Sequence, residues 1–364
     1  MKKNITLFII FLIIAFTAIK LQQGNKNTEY ISPASNKNNI QITPQTKFLK
    51  EEKFLFVPYW SFDKEKIESR EFENLIYFGI SANKNGIDKN DTGYKKITAF
   101  RQLSDDKKKF LTLRMLDSDI NFSILKNKDL QKKIINQSID ITKNNTFDGL
   151  LLDLEISALP FESIVKEVTD FMELFNKSAK NKNLLFYVAL YGDTFYRLRP
   201  YDVQSIEKHT DKIMIMAYDF HKAKGDPGPN FQLEGKERYG YDFKNMIDDF
   251  LKTVPGNKLS IVFGLYGYDW PVDEKERSKA VAQILSLNEI KFKFLDKCNL
   301  KDCIVTRDKQ SSESKIVYVD EEGISHNVWF EDEISIKEKQ KYLLTKGMGS
   351  IAYWAYSYFD SIGQ

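Results

Sequence analysis

Asp153 and Glu155 close a stretch, Phe147-Asp148-Gly149-Leu150-Leu151-Leu152-Asp153-Leu154-Glu155, in which carboxylates stand among apolar residues. The apolar run predicts a buried strand, and an unpaired carboxylate on a buried strand is costly, so charge in such a place points to a site at the strand's end. Side chains alternate between the two faces of a strand. Leu151, Asp153 and Glu155 therefore share one face, with the two carboxylates roughly 6–7 Å apart along the backbone. Two carboxyls so placed suit hydrolysis of a glycosidic bond: one protonates the leaving oxygen while charge developing at the anomeric carbon is stabilised. Glu155 is the proton donor in this reading, its pKa raised by a carboxylate neighbour and an apolar surround. Asp-x-Glu near a strand end is a common pattern, so the elements around it have to supply the rest.

Seven further apolar runs read as strands, at 54–59, 74–81, 109–116, 184–191, 212–218, 259–265 and 350–354. Amphipathic helical patterns lie between them. Residues 163–179 align Ile164, Val168, Phe171, Met172 and Phe175 on one stripe, residues 243–251 end before Pro255-Gly256, and residues 334–346 end at Gly347. Alternating strands and helices argue for parallel pairing, and eight repeats favour an α/β (β/α)8 TIM barrel over a doubly wound open sheet. Such a barrel presents its reacting groups at the C-terminal ends of its strands, which places Asp153 and Glu155 at the mouth. The long interval before the last strand predicts a small α+β insertion, about 274–332, with a helix at 278–287, a cysteine loop, and strand-like runs at 316–319 and 324–330 joined through Glu321-Glu322-Gly323. The barrel as a whole is expected over 51–364.

Ahead of it, Lys2 and Lys3 precede an apolar run from Ile5 to Ile19, the pattern of an export signal. The run is short beside the about 20 residues a spanning helix needs, so 1–21 reads as a signal peptide or an uncleaved signal anchor. Residues 22–50 read as a polar tether. The rest of the chain is then expected outside the cytoplasm, membrane-anchored or secreted, with the N-terminal segment its only membrane contact. There a disulfide between Cys298 and Cys303 is plausible, two free thiols being the alternative. The 54 basic against 51 acidic residues, a net charge of +3, exclude the strongly basic profile of a nucleic-acid partner. His209, His221 and His326 have no ligand spacing, so no metal site is expected, and no cofactor. Aromatic residues make up 13% of the chain, and Tyr59 and Trp60 at the end of the first strand are candidates for sugar contact.

Asp148-x-x-Leu151-x-Asp153-x-Glu155 resembles the Asp-x-x-Asp-x-Asp-x-Glu signature of glycoside hydrolase family 18, the chitinases and endo-β-N-acetylglucosaminidases. Met216-Ala217-Tyr218-Asp219 followed by His221 is similar to that family's strand-six motif. Phe263-Gly264-Leu265-Tyr266-Gly267-Tyr268-Asp269-Trp270 and Ser350-Ile351-Ala352-Tyr353-Trp354 resemble its strand-seven and strand-eight endings, and Asp226-Pro227-Gly228-Pro229 fits as well. The motifs span about 53–360 in the family's order, and Tyr-Gly-Tyr-Asp-Trp is most like the subgroup that acts on bacterial cell walls and spore cortex. The resemblance implies hydrolysis of β-1,4 bonds in N-acetylglucosamine-containing glycans, peptidoglycan or chitin, by a substrate-assisted retaining route; a monomer is expected. It makes Glu155 the acid, Asp153 the residue that orients the substrate acetamido group, and Tyr218 a hydrogen-bond donor to the acetamido carbonyl. Trp354 becomes the sugar's floor, with Asp219 and Met216 lining it and Asp148 and Gly149 as structural motif positions. Leu151 departs from the signature, standing where many members carry an Asp, and Leu113-Arg114-Met115-Leu116 stands where many have a small Ser-x-Gly-Gly segment. A catalytically silent glycan-binding lectin on the same barrel is the alternative. Loss of a like charge at Leu151 lowers the Asp153 pKa and apolar burial raises it, and the sequence leaves that balance open.

Overall fold

A computed structural model of the chain describes residues 51–62, 71–104 and 106–358. The signal expected over 1–21 and the tether over 22–50 lie outside the described residues. Among the described residues no helix is long and apolar enough to cross a membrane.

Eight parallel strands close a barrel: β1 (Glu52–Pro58), β2 (Asn74–Asn83), β4 (Lys108–Met115), β5 (Gly149–Leu154), β6 (Leu185–Tyr191), β7 (Lys212–Ala217), β8 (Leu259–Gly264) and β14 (Ser350–Trp354). β1 pairs with both β2 and β14, which makes the closure. β3 (Gly86–Ile87) is a short antiparallel addition to the end of β2. Strand parity decides what goes where. Leu150, Leu152 and Leu154 of β5 face outward into the main core, where the helix Glu162–Lys180 buries Val165, Val168, Phe171, Met172 and Phe175. Leu151 faces the barrel interior with Phe54, Phe110, Tyr187 and Met214; Phe110 and Tyr187 stack there at 4.7 Å. Each such fully buried side chain stabilises the fold by about 1.5–3 kcal/mol. The N-terminal end of the barrel is closed by polar groups, with Lys212 Nζ 2.8 Å from Glu52 Oε2.

Between β8 and β14 the chain forms an antiparallel sheet from β9 (Tyr266–Val272), β10 (Gln283–Ser286), β11 (Lys301–Arg307), β12 (Ser314–Val319) and β13 (Ser325–Phe330), in the order β10-β9-β13-β12-β11. This sheet begins at Tyr266, earlier than the 274 expected, because the chain leaves β8 and enters β9 across Leu265 alone. The helix expected at 278–287 is absent. Gln283–Ser286 pairs with β9 as an edge strand, and the helical turn starts only at Leu287, where Ser286 and Glu289 form a reciprocal cap. Cys298 and Cys303 are joined as a disulfide at the start of β11.

The sheet is tied to the barrel by a buried charge cluster. Lys339 Nζ, on the helix Glu333–Thr345, lies 3.1 Å from Glu313 Oε1 and 2.5 Å from Glu331 Oε1, all three side chains fully buried. Glu313 also accepts hydrogen bonds from the backbone N–H groups of Asn230 and Phe231, so it anchors the loop that follows β7.

Candidate active site

The C-terminal ends of β5, β6, β7 and β14 open on a cleft of about 360 Å³. Asp153 is the last inward residue of β5 and is only 6% exposed. Its Oδ1 has no hydrogen-bond partner among the described residues. Arg114, beside it in register on β4, turns its guanidinium to Gly79 O at 2.9 Å and to Asp91 Oδ1 at 2.7 Å. Burial raises the Asp153 pKa well above the usual carboxylate range, and the Glu155 charge pushes the same way. That answers the question left by Leu151: its fully buried side chain lies one pleat below Asp153 on the same face, and desolvation prevails over the missing like charge.

Glu155 follows the last residue of β5 and is held from three sides. Its N–H donates to Met115 O at 2.8 Å. Asn121 Nδ2 donates to both Glu155 O and Met115 O at 2.7 Å, tying the ends of β4 and β5 together. The hydroxyl of buried Tyr201 donates to Leu154 O at 2.7 Å and accepts from Ile156 N–H at 3.2 Å, bracketing Glu155 in the chain. The carboxyl pKa is raised by burial, opposed by a hydrogen bond from Tyr191 and by the charges of Lys222 and Arg199. Burial thus raises the pKa of both Asp153 and Glu155, and both environments favour the neutral carboxyl over the charged one.

The loop after β7 supplies Tyr218 and Asp219. Asp219 adopts a left-handed φ of 57°. Its N–H donates to Asn230 Oδ1 at 2.7 Å, and its Oδ1 accepts from Tyr266 and Tyr268, the latter at 2.7 Å. The Tyr218 hydroxyl pKa is raised by burial and by the charges of Asp153 and Asp219, so it stays a hydrogen-bond donor. Trp354 lies across the cleft and packs edge-on against Phe78 at 4.7 Å and Phe56 at 5.5 Å. Rings of this kind provide a flat apolar floor with fixed orientation.

Of the residues singled out from sequence, Asp153, Glu155, Met216, Tyr218, Asp219, Trp60 and Trp354 all line the cleft. Trp60 sits at its rim, 51% exposed. Tyr59 is not among the lining residues; its ring lies 4.7 Å from the Arg114 guanidinium and 4.8 Å from Trp60, so it supports the rim from behind. Asp148 is at the opposite end of β5, where its carboxylate accepts from Lys109 N–H at 2.8 Å. Gly149 permits close strand packing, since a Cβ there would lie 2.6 Å from Leu185 O. Cys303 is on β11 and Cys298 precedes that strand, and neither lines the cleft. Sequence reasoning missed Tyr191, although it ends a recognised strand with inward parity, and it gave no role to Tyr266, Tyr268, Asn121, Tyr201 or Lys222. Among the described residues no group of three or more His, Cys, Asp or Glu side chains is arranged to hold a metal. His221 faces Pro229 O at 2.8 Å, and burial lowers its pKa.

The family model described as glycosyl hydrolases family 18 matches residues 12–358. The chain is 25% identical over 232 residues to an uncharacterized glycosylase of Bacillus subtilis (strain 168), covering 61% of each protein. It is 24% identical over 306 residues to the cortical fragment-lytic enzyme of Bacillus anthracis, covering 77% of this chain and 64% of that one. It thus spans less than two thirds of the length of these relatives. Among solved structures, a class V chitinase variant from Nicotiana tobaccum in complex with NAG4 matches with a TM-score of 0.73 at 18% identity, covering 86% of this chain and 96% of that chain.

Proposed function

The chain belongs to glycosyl hydrolases family 18, and from that premise we propose that it cleaves β-1,4 bonds of N-acetylglucosamine-containing glycans with the substrate's own acetamido oxygen as nucleophile. The observation that carries this reading is the carboxyl pair at the barrel mouth, in which Asp153 is buried with its Oδ1 unpartnered among the described residues and Glu155 is clamped at the strand end. Glu155 donates its proton to the glycosidic oxygen as the bond to the anomeric carbon breaks. The acetamido carbonyl oxygen attacks that carbon from the opposite face and forms an oxazolinium ion. Asp153 accepts the acetamido N–H and balances the positive charge, while the Tyr218 hydroxyl donates to the acetamido oxygen and holds it in line. Glu155, now ionised, takes a proton from water as the water attacks the anomeric carbon and the bond from that carbon to the acetamido oxygen breaks, which regenerates the acetamido group and gives net retention of configuration. Trp354 supports the sugar that reacts.

Peptidoglycan is the favoured glycan, supported by the similarity to the cortical fragment-lytic enzyme and by the export-type N-terminus. The disulfide is in keeping with a site of action outside the cytoplasm. Mass spectrometry of products after separate incubation with peptidoglycan and chitin oligomers tests the reading. Fragments ending in reducing N-acetylglucosamine are expected; binding without cleavage of either glycan would leave a lectin instead.

A further inference from the structure

Lys222 is the single cation among the described residues that line the cleft. The other charges there are already engaged. Asp193 is gripped by Arg199 at 2.8 Å and Arg197 at 3.0 Å, Asp219 by two tyrosine hydroxyls, and Asp153 and Glu155 are the carboxyls assigned to the reaction. Lys222 forms no ion pair with a described residue; its ammonium stands 6.0 Å from the Tyr191 ring centroid, and Tyr191 is the residue that hydrogen-bonds Glu155. The charge is therefore set close enough to the acid to act on its carboxyl. Its loop is also fixed. Gly225 N–H closes a turn onto Lys222 O at 2.8 Å, Ala282 N–H donates to Ala223 O at 2.8 Å, and Ser278 N–H donates to Asp226 Oδ1 at 3.0 Å. The antiparallel sheet thus holds this loop, so ordering the lysine for a ligand costs less than it would on a free loop.

We propose that Lys222 is a specificity-determining residue that pairs with a carboxylate carried by the sugar next to the scissile bond, so that the cleft selects acidic muramic-acid-containing strands over neutral chitin. This rests on the reading of the cleft as a glycan site. Two sources present that carboxylate, the lactyl group of peptide-free muramic acid and the acids of a stem peptide. A neutral N-acetylglucosamine polymer offers neither, and the lysine then gains only solvent-like contacts.

The test is calorimetric binding to full-length Glu155→Gln protein, with and without Lys222→Met or Lys222→Arg. The ligands are chito-oligomers, peptide-free glycan strands, the same strands methyl-esterified, and peptide-bearing strands. Lys222→Met is expected to weaken an acidic strand about tenfold more than its ester or the chito-oligomer, and Lys222→Arg to preserve the preference. A larger effect on peptide-free strands assigns the lactyl acid, and a larger effect on peptide-bearing strands the stem. Equal weakening of acidic, esterified and neutral ligands, or none, overturns the proposal while leaving glycan cleavage to the product analysis; binding of no ligand overturns both.

Discussion

Glu313 and Glu331 meet Lys339 at 3.1 and 2.5 Å between the antiparallel sheet and the barrel, whereas Asp153 and Glu155 meet at the barrel mouth with the neighbouring Arg114 turned toward Asp91 and Gly79. Each cluster holds a fully or nearly buried carboxyl whose pKa burial raises, Glu331 in the first and Asp153 in the second. Burial pushes Glu331 up to about 8 against the pull of Lys339, and Lys339 is in contact with both carboxyls. Asp153 and Glu155 have no cation in ion-pair contact among the described residues, and the charges of Arg114, Lys222 and Arg199 act on them only from a distance. A structural cluster is completed internally; a cluster of the same residue type left incomplete is the one able to give its proton to something else.

The contrast is broken most forcefully from the structural side. Lys339→Met strands two buried carboxyls, and a loss of about 3–5 kcal/mol in unfolding free energy is expected by denaturant titration. Asp153→Asn should act in the opposite sense on stability. A carboxyl whose folded pKa is raised contributes stability that is present below its unfolded pKa and lost as pH rises through the folded one, so the substituted protein should melt higher than the parent above the ordinary carboxylate range. Its turnover should nonetheless fall about 10²–10³-fold, in proportion to a lost transition-state contact. A lower melting temperature together with unchanged turnover would place Asp153 with the structural cluster. A smaller effect sharpens the account of Glu155. Tyr191 lowers its pKa by hydrogen bonding, so Tyr191→Phe should raise that pKa and carry the alkaline limb of kcat/KM to higher pH, as read from a pH–rate profile.

The barrel was legible because its signal is local: short continuous apolar runs such as that of β5 and helical stripes such as Val168, Phe171, Met172 and Phe175 can be read without the partner elements. Asp153 and Glu155 were legible because they close a strand, and the end of a strand is where a barrel keeps its chemistry, whereas Tyr218 and Trp354 were singled out only through the resemblance of their strand endings to glycoside hydrolase family 18. The antiparallel sheet was harder. Gln283–Ser286 carries Ile284 and Leu285 in a spacing that suits a helix, and only pairing with β9 makes it a strand. Asn121 and Tyr201 act through backbone groups more than 30 residues away, and no pattern in a sequence announces such a contact. The Asp153 pKa had a competing pair of causes at Leu151, and its direction followed only once the burial of both residues was known.

Release of reducing ends from peptidoglycan and chitin oligomers by the parent protein and by Glu155→Gln, with circular dichroism to establish equal folding, bears on the central claim most directly. The amide is isosteric and has no proton to donate as an acid, so turnover is expected to fall about 10³–10⁴-fold with the fold intact. Turnover equal to that of the parent in a folded Glu155→Gln protein would contradict the assignment of Glu155 as the acid.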